Sequence, residues 1–367
     1  MLRICRRSLI ARISVTLAVF ASSPARAYDA DVQMQQSIAI VGAIVQLVRA
    51  QIASLGAPDV RAADAQISFV VDDTPIPNAF EQNGVIHISN SLHVMFLYVA
   101  DAGVENAAHQ TFGACGDAYG TYLTTVVSQN KVRVVKGLPL QAVKPPEEFI
   151  ALSQPLCAGF EKAFPVSAEL RKWRDQRVID MIGFVYLHEL AHFALHHTGV
   201  TDAAIHAALG GIQTPQALSE LARSRDQEFA ADAWALRQYI RMFGPEPNLM
   251  YYDLQKTMTI MGNSFDCTHD VNSTHPTGIE RYAALTSVYR DEFKRKIGYD
   301  VSPQESDLLN DWVKFSKHAR DGLHCESAAP VPAMTDPHDY GNCYAEHRCF
   351  ASPAPFKPLA GTKGPGK

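Results

Sequence analysis

The chain has 367 residues, of which 47% are hydrophobic and 19% are charged, a composition that fits a folded globular protein and excludes a wholly disordered one. Its formal net charge of -5 gives no electrostatic reason to expect nucleic acid or an anionic membrane surface as a partner. Length alone allows one large domain or two ordinary ones.

Residues 1–27 have the pattern of a secretory signal peptide. Arginines precede a short apolar stretch at residues 13–21, and Ala25-Arg26-Ala27 supplies the small-x-small pattern that signal peptidase recognises. We therefore expect cleavage after Ala27 and a mature protein in the periplasm or outside the cell. The apolar stretch is too short to span a bilayer, so a stable membrane anchor is the weaker alternative. We expect no other apolar run long enough to cross a membrane.

Cysteine usage agrees with export, because removal of Cys5 with the signal leaves six of the seven cysteines. An even number in an oxidising compartment predicts up to three disulfides, whose 15 possible connectivities the sequence leaves open. A second metal site is the alternative, since three histidines lie near the last three cysteines, although no CxxC or HxxxH spacing occurs there. The cysteines are Cys115, Cys157, Cys267, Cys325, Cys343 and Cys349, and the histidines are His324, His338 and His347.

The N-terminal third alternates between helical and strand patterns. Asp31–Leu55 carries apolar residues at helical spacing and predicts a helix. Ile67–Val71 and Gly84–Ser89 predict short strands, the second of them after an Asn83-Gly84 turn signal. From about Val104 to Pro165 the pattern weakens, and we expect an inserted subdomain that a disulfide could staple.

Strong helical patterns return in the second half of the chain. They cover Lys172–His197, Pro215–Phe243, Thr277–Lys296 and Pro303–Arg320. After about Ala328 the chain is rich in Pro, Gly and Ala, which predicts a disordered tail at residues 326–367. The expected fold class is α+β, with one mostly helical domain over residues 28–325 and a small sheet in its N-terminal third.

His188-Glu189-Leu190-Ala191-His192 matches the zinc motif H-E-x-x-H. Residues four apart share a helical face, so both imidazoles can point at one ion, and Glu189 can act as the catalytic base on a metal-bound water. The surrounding helix is apolar nearly all round, and buried histidines and glutamates need partners. An exposed helix that happens to carry two histidines is the alternative. His196 and His197 are expected to interact with the last carbonyls of this helix.

The third metal ligand is expected in Glu228-Phe-Ala-Ala-Asp232 on the next helix. Glu228 and Asp232 share a face, and the alanines permit close helix packing. Glu228 would bind the metal, and Asp232 would accept the second N–H of a ligating histidine and fix its tautomer. The alternative is a solvated charge pair beside Arg223, Arg225 and Asp226.

In four stretches, in order, the chain resembles the M48 metallopeptidases, a family that includes the CAAX prenyl proteases, the HtpX enzymes and their soluble periplasmic relatives. The stretches are Pro77-Asn78-Ala79-Phe80 before a strand, HELAH at 188–192, EFAAD at 228–232, and His275-Pro276-Thr277 with Arg281. The resemblance covers roughly residues 30 to 295. The sequence departs from the family's pattern in its long stretch between Asn78 and His188 and in Asn90-Ser91-Leu92 after the strand.

The resemblance implies a zincin-type domain whose small sheet flanks the active-site helix. It implies one Zn²⁺ per chain on His188, His192 and Glu228, with Glu189 as the base. Asn78, Ala79 and Phe80 would lie beside the cleft, where the strand edge can pair with a polypeptide substrate. His275 would lie near the metal and stabilise the oxyanion or occupy the open position; its alternative is a helix-start residue without a catalytic role. Arg281 would pair with a buried carboxylate.

The expected activity is hydrolysis of unfolded or mislocalised proteins in the cell envelope by zinc-activated water. Two alternatives stay open. One is a zinc-bound but self-plugged binding or chaperone-like protein. The long insertion between residues 104 and 165 allows this alternative, because it could cover the cleft. The other is a secreted protease that acts on a foreign protein.

Overall fold

The computed structural model describes residues 30–109, 113–135, 138–164, 166–201, 204, 214–245, 253–254, 257–258, 275–303, 306–307 and 310. The predicted signal peptide, the predicted C-terminal tail and most of the predicted helix Pro303–Arg320 lie outside the described residues. The same holds for the histidines and cysteines of the alternative second metal site.

The described chain is mostly helical with one small mixed sheet, which confirms the α+β prediction. Its elements in chain order are α1 (Ala30–Leu55), α2 (Pro58–Asp64), β1 (Ser68–Asp72), β2 (Ala79–Gln82), β3 (Val85–Ser89), α3 (Asn90–Ala108), α4 (Gly113–Val135), α5 (Pro146–Leu152), α6 (Ala168–Ala194), α7 (Pro215–Phe243) and α8 (Gly278–Ile297).

The two longest helices begin at side-chain caps that satisfy backbone N–H groups of their first turn. The Ser167 hydroxyl accepts from the backbone N–H of Leu170 and starts α6 four residues earlier than the apolar pattern alone indicates. The Thr214 hydroxyl accepts from Ala217 at the start of α7, whose bounds agree with the prediction. Helix α7 ends at Gly244, which has a φ of 93°.

The sheet has the strand order β1-β3-β2, with β3 parallel to β1 and antiparallel to β2. A tight turn joins β2 to β3 through Asn83 and Gly84, which both have positive φ, as a two-residue hairpin requires. Among the described residues β2 pairs on one side only, with β3, so its other edge is free of main-chain partners within this sheet. The sequence pattern missed β2 because four residues carry too little alternation to be recognised.

Helices α1, α3 and α6 form the centre of the hydrophobic core, with the sheet and α7 packed around them. Helix α3 was not predicted. Nearly every residue from Asn90 to Glu105 is buried, so the helix lacks the alternation of apolar and polar faces by which an amphipathic helix is recognised. It begins at Ser89, whose hydroxyl accepts from Leu92.

One helical segment of the described chain, Gln36–Leu55, is long and apolar enough to cross a membrane by length and composition. This corrects the expectation that the chain has no such run after the signal. A core helix or a signal sequence passes the same test. Val41, Val45 and Ile52 lie on one stripe of this segment with no exposed surface, and α1 packs against α3 and α6. This stripe faces the core, while 28% of the most apolar window of the segment as a whole is buried.

The insertion between Val104 and Pro165 contains the end of α3 and the helices α4 and α5. Its Tyr119, Tyr122 and Phe149 form an aromatic cluster, with ring centroids 5.1 to 6.0 Å apart, inside the same hydrophobic core as α3. A disulfide joins Cys115 to Cys157 across this segment, as expected for a protein of an oxidising compartment.

We expect the Cys115–Cys157 disulfide to contribute about 4 kcal/mol to the free energy of unfolding, because it closes a loop with a sequence separation of 42 residues. The double variant Cys115→Ala/Cys157→Ala should therefore unfold at a clearly lower urea concentration than the oxidised wild type. An unchanged midpoint in the double variant, together with free thiols at both positions of the wild type by mass spectrometry, would contradict the assignment.

Candidate metal centre

The H-E-x-x-H residues lie in the most deeply buried part of α6. Every residue of α6 from Asp180 to Ala191 is buried. Within this stretch His188 and Glu189 are 5% and 4% exposed, and the ring of His192 is partly buried one turn later. Polar groups this deep in a core need compensating partners, and the structure supplies them from α7 and α8.

Three predicted ligands converge at a spacing that suits one metal ion. The Nε2 atoms of His188 and His192 are 3.1 Å apart, and each lies 3.4 Å from an oxygen of Glu228. A tetrahedral ion with ligand bonds of about 2.0–2.1 Å separates its ligand atoms by about 3.3–3.4 Å. Ligand atoms of His188, Glu189 and His192 also fall within 4.8 Å of one another. This arrangement could hold a metal ion.

Asp232 and Arg281 support the first histidine from behind. The Nδ1 atom of His188 lies 2.9 Å from Oδ1 of Asp232, so this ring can donate to the carboxylate with Nδ1 and offer Nε2 to a metal. Arg281 on α8 donates from Nε and Nη2 to the two oxygens of Asp232, both at 2.7 Å. Asp232 and Arg281 are 1% and 3% exposed. Arg281 therefore pairs with a buried carboxylate, as the sequence indicated.

The two histidine rings have opposite electrostatic environments. Burial would lower the pKa of His188, but Asp232 and Glu228 outweigh burial and raise this pKa to about 10. Burial, and then the neighbouring His188, lower the pKa of His192 to about 3. Burial would raise the pKa of Glu228, but His275 and Arg281 outweigh it and hold that pKa well below its usual range. An ionised carboxylate thus faces both ring nitrogens.

Glu189 has a different environment from Glu228 although both are buried. Burial raises the pKa of Glu189 to about 7, an effect that His188 opposes and Glu228 reinforces. A carboxyl group that titrates near neutral pH is suited to accept and return a proton. The structure therefore gives the two glutamates different chemical characters, one a permanent anion and the other a proton acceptor.

His275 comes close to this group from the solvent side. Its Nε2 lies 3.6 Å from Oε1 of Glu228, and its side chain is 58% exposed. It precedes α8, which starts with a capping box between Thr277 and Glu280. The cap fixes where α8 begins, and so positions both His275 and Arg281 relative to Glu228.

The predicted substrate-binding stretch lies on and before β2. The backbone of Asn78 is tied to Ser89 by two hydrogen bonds, and Ala79 is buried. Phe80 stacks on His87 with ring centroids 4.5 Å apart. Because side chains alternate along a strand, Phe80 faces away from the side of Ala79 and Glu81. The structure thus brings β2 beside α6 and packs the Phe80 ring against His87.

Glu81 was not recognised in the sequence. It lies on β2 close enough for its charge to help raise the pKa of Glu189, and its Oε1 accepts from the backbone N–H of Gly84 at 2.7 Å. The clue in the sequence was its position one residue after Asn78-Ala79-Phe80, which makes its side chain share a face with Ala79.

His197 was expected to interact with helix-end carbonyls, and the structure assigns its ring a further contact. Its Nδ1 lies 3.0 Å from Nδ1 of His192, with the ring planes at 75°. Burial lowers the pKa of His197. The five-residue separation between the two histidines, across a helix end, was the available signal.

The structure therefore brings His188, Glu189, His192, Glu228, Asp232 and His275 together in one buried group that opens to solvent at His275. Chemically, this group could hold a metal ion with nitrogen and oxygen ligands. No protein-family model, no curated protein and no solved structure matches this chain.

Proposed function

We propose that the protein is an exported zinc-dependent endopeptidase of the M48 type. The observation that carries the proposal is the set of spacings of 3.1 to 3.4 Å among two imidazole nitrogens and the Glu228 carboxylate, with the buried Glu189 adjacent to His188 in the chain. Nitrogen and oxygen ligands in a tetrahedral arrangement are the preference of Zn²⁺. The same sets of residues carry the resemblance to this family.

Each residue of the group has a role in peptide hydrolysis. Zinc held by His188, His192 and Glu228 would supply a Lewis acid and lower the pKa of a bound water. Glu189 takes the proton of the attacking water and returns it to the leaving amine, which its pKa near 7 permits. Asp232 holds the ring of His188 in the tautomer that leaves Nε2 free.

The substrate proposed is an extended, unfolded polypeptide. The edge of β2 that lacks a strand partner among the described residues can pair with a substrate main chain, which gives affinity with little demand on sequence. A signal-like N-terminus and the Cys115–Cys157 disulfide favour a periplasmic or secreted site of action. Misfolded or mislocalised envelope proteins fit this combination.

A second candidate is a self-plugged binding or chaperone-like protein. Its supporting observation is His275, whose Nε2 lies 3.6 Å from a Glu228 oxygen and which could occupy the open position of the metal. In an active enzyme the same nitrogen would stabilise the oxyanion of the tetrahedral intermediate. The two candidates share the metal and differ in whether that position opens to substrate.

Metal removal tests the proposal. The purified mature protein should contain about one zinc per chain and degrade casein; a chelator such as 1,10-phenanthroline should abolish the cleavage, and added Zn²⁺ should restore it. His275→Ala distinguishes the candidates, because a plugged protein gains activity on losing the plug, whereas an enzyme that uses His275 for the oxyanion loses it. If the zinc-loaded wild type and the zinc-loaded His275→Ala variant both fail to cleave any unfolded protein, the protease assignment is wrong.

A further inference from the structure

The end of α6 folds back so that its last histidine meets a metal-ligand candidate. Leu195 ends the helix, and His196 follows with a φ of 53° in the left-handed region. The backbone N–H of His197 donates to the carbonyl of His192 at 2.9 Å, and that of His196 donates to Phe193 at 3.1 Å. These two bonds form a Schellman motif, in which the second residue beyond the helix returns over its last turn.

The motif uses an unusual residue at its left-handed position. Glycine commonly occupies this place because it has no Cβ, and a residue with a side chain costs about 1–2 kcal/mol there. In this chain the place is taken by His196. Local strain of this kind persists where the surrounding structure fixes the turn, and it concentrates at functional sites.

The turn determines which atoms of the two rings meet. Nε2 of His192 faces the centre, 3.1 Å from Nε2 of His188 and 3.4 Å from Glu228. Nδ1 is on the other side of the same ring, and there Nδ1 of His197 lies 3.0 Å away. His197 therefore contacts the back of the ligand ring and lies outside the ligand set.

A neutral imidazole carries one donor and one acceptor nitrogen. If Nε2 of His192 offers its lone pair to a metal, Nδ1 must carry the proton and needs an acceptor. For His188 that acceptor is Asp232. Among the side chains of the described residues, the acceptor atom within 3.0 Å of Nδ1 of His192 is Nδ1 of His197.

We propose that His197 is a positioning residue for the metal centre: its Nδ1 accepts the Nδ1–H of His192, fixing the tautomer and orientation in which Nε2 of His192 binds the metal. The inference rests on the proposed zinc site. It gives the two histidines different supports, a buried carboxylate behind His188 and a half-buried imidazole behind His192. Unlike a carboxylate, an imidazole adds no negative charge at the rim of the site.

The test compares zinc affinities by competition with a chromogenic chelator. His197→Phe and His197→Leu remove the acceptor while keeping apolar bulk, and each should weaken zinc binding about 10- to 100-fold, the usual effect of losing a hydrogen-bond partner of a metal ligand. His197→Asn, which can place an amide oxygen near the same point, should recover most of the loss. The matched control is His196→Asn, which removes the adjacent histidine and keeps a residue that tolerates the left-handed conformation; it should bind zinc as the wild type does.

Two further readouts separate positioning from a general structural role. Thermal melting of the metal-free proteins should be similar for wild type and the His197 variants, because the half-buried ring contributes little to the core. The visible spectrum of the Co²⁺-substituted protein should change in His197→Phe and not in His196→Asn. If wild type binds zinc and both His197→Phe and His197→Leu bind it equally well, the inference is wrong and the proposed function stands. If the wild type binds no zinc, both the proposed function and this inference are wrong.

Discussion

Replacing Glu228 with glutamine should remove the metal from the protein. The substitution keeps the shape of the side chain but replaces an anion by a neutral amide. The carboxylate of Glu228 places Oε2 3.4 Å from Nε2 of His188 and Oε1 3.4 Å from Nε2 of His192. We expect zinc content after dialysis to fall from about one ion per chain to near zero. Affinity should fall by more than the roughly 10- to 100-fold effect of losing a residue that only supports a ligand.

Helix α7 offers a matched control for this change. Glu220 lies on the same helix, is 9% exposed, and uses its carboxylate to accept hydrogen bonds from Thr201. Glu220→Gln therefore makes the same chemical substitution on the same helix, away from the rings. It should keep its zinc. Full zinc retention in Glu228→Gln would remove Glu228 from the ligand set and leave the site to other groups.

Glu228 also matters for Arg281, which connects the metal group to the rest of the core. The Nη1 atom of Arg281 lies 3.4 Å from Glu228, and its Nε and Nη2 donate to Asp232. Asp232 in turn lies 2.9 Å from His188. One arginine on α8 thus orders a carboxylate on α7, which orders an imidazole on α6. Three helices far apart in the chain must pack correctly before the ligand geometry exists.

The convergence of the proposed ligands could be predicted from the sequence in part, because the two pairs that contribute to the site have local signatures. His188 and His192 are four residues apart on a helix, and so are Glu228 and Asp232, so both pairs are constrained by helical geometry alone. The helices that carry them are long and strongly patterned, and the predicted bounds of α7 agree with the structure, whereas the cap at Ser167 starts α6 four residues before the predicted helix. Regular local structure was sufficient for this half of the site.

The remainder depends on packing that no local pattern encodes. Helix α3 is buried nearly all round and so has no polar face to reveal it. Strand β2 has four residues and exists because β3 pairs with it. The contact between His197 and His192 needs His196 to adopt a left-handed conformation, which sequence preference would assign to glycine. Each of these features is selected by long-range contacts against a weak or contrary local preference.

Glu189→Gln should separate metal binding from catalysis. In the proposed site Glu189 acts as the base and not as a ligand, so zinc content should stay near one ion per chain. Loss of a positioned general base commonly costs about 10²- to 10⁴-fold in rate, and casein hydrolysis should fall by at least that range. Because burial raises the pKa of Glu189 to about 7, its carboxyl group is mostly ionised at pH 8 and burying that charge lowers the stability of the fold relative to the unfolded chain. The neutral variant should therefore melt no lower than the wild type there when both are metal-free.

The control for this variant is Glu169→Gln, an exposed position in the first turn of the same helix, which should keep both zinc and activity. Equal casein cleavage by Glu189→Gln and wild type would refute the role of Glu189 as the base, whatever the zinc content. If the variant binds zinc and no longer cleaves, it becomes a trap: its substrate site is intact and its proton acceptor is gone. Polypeptides that co-purify with the Glu189→Gln variant would then identify the substrates. Comparison with the polypeptides that co-purify with His275→Ala would show which of them depend on His275.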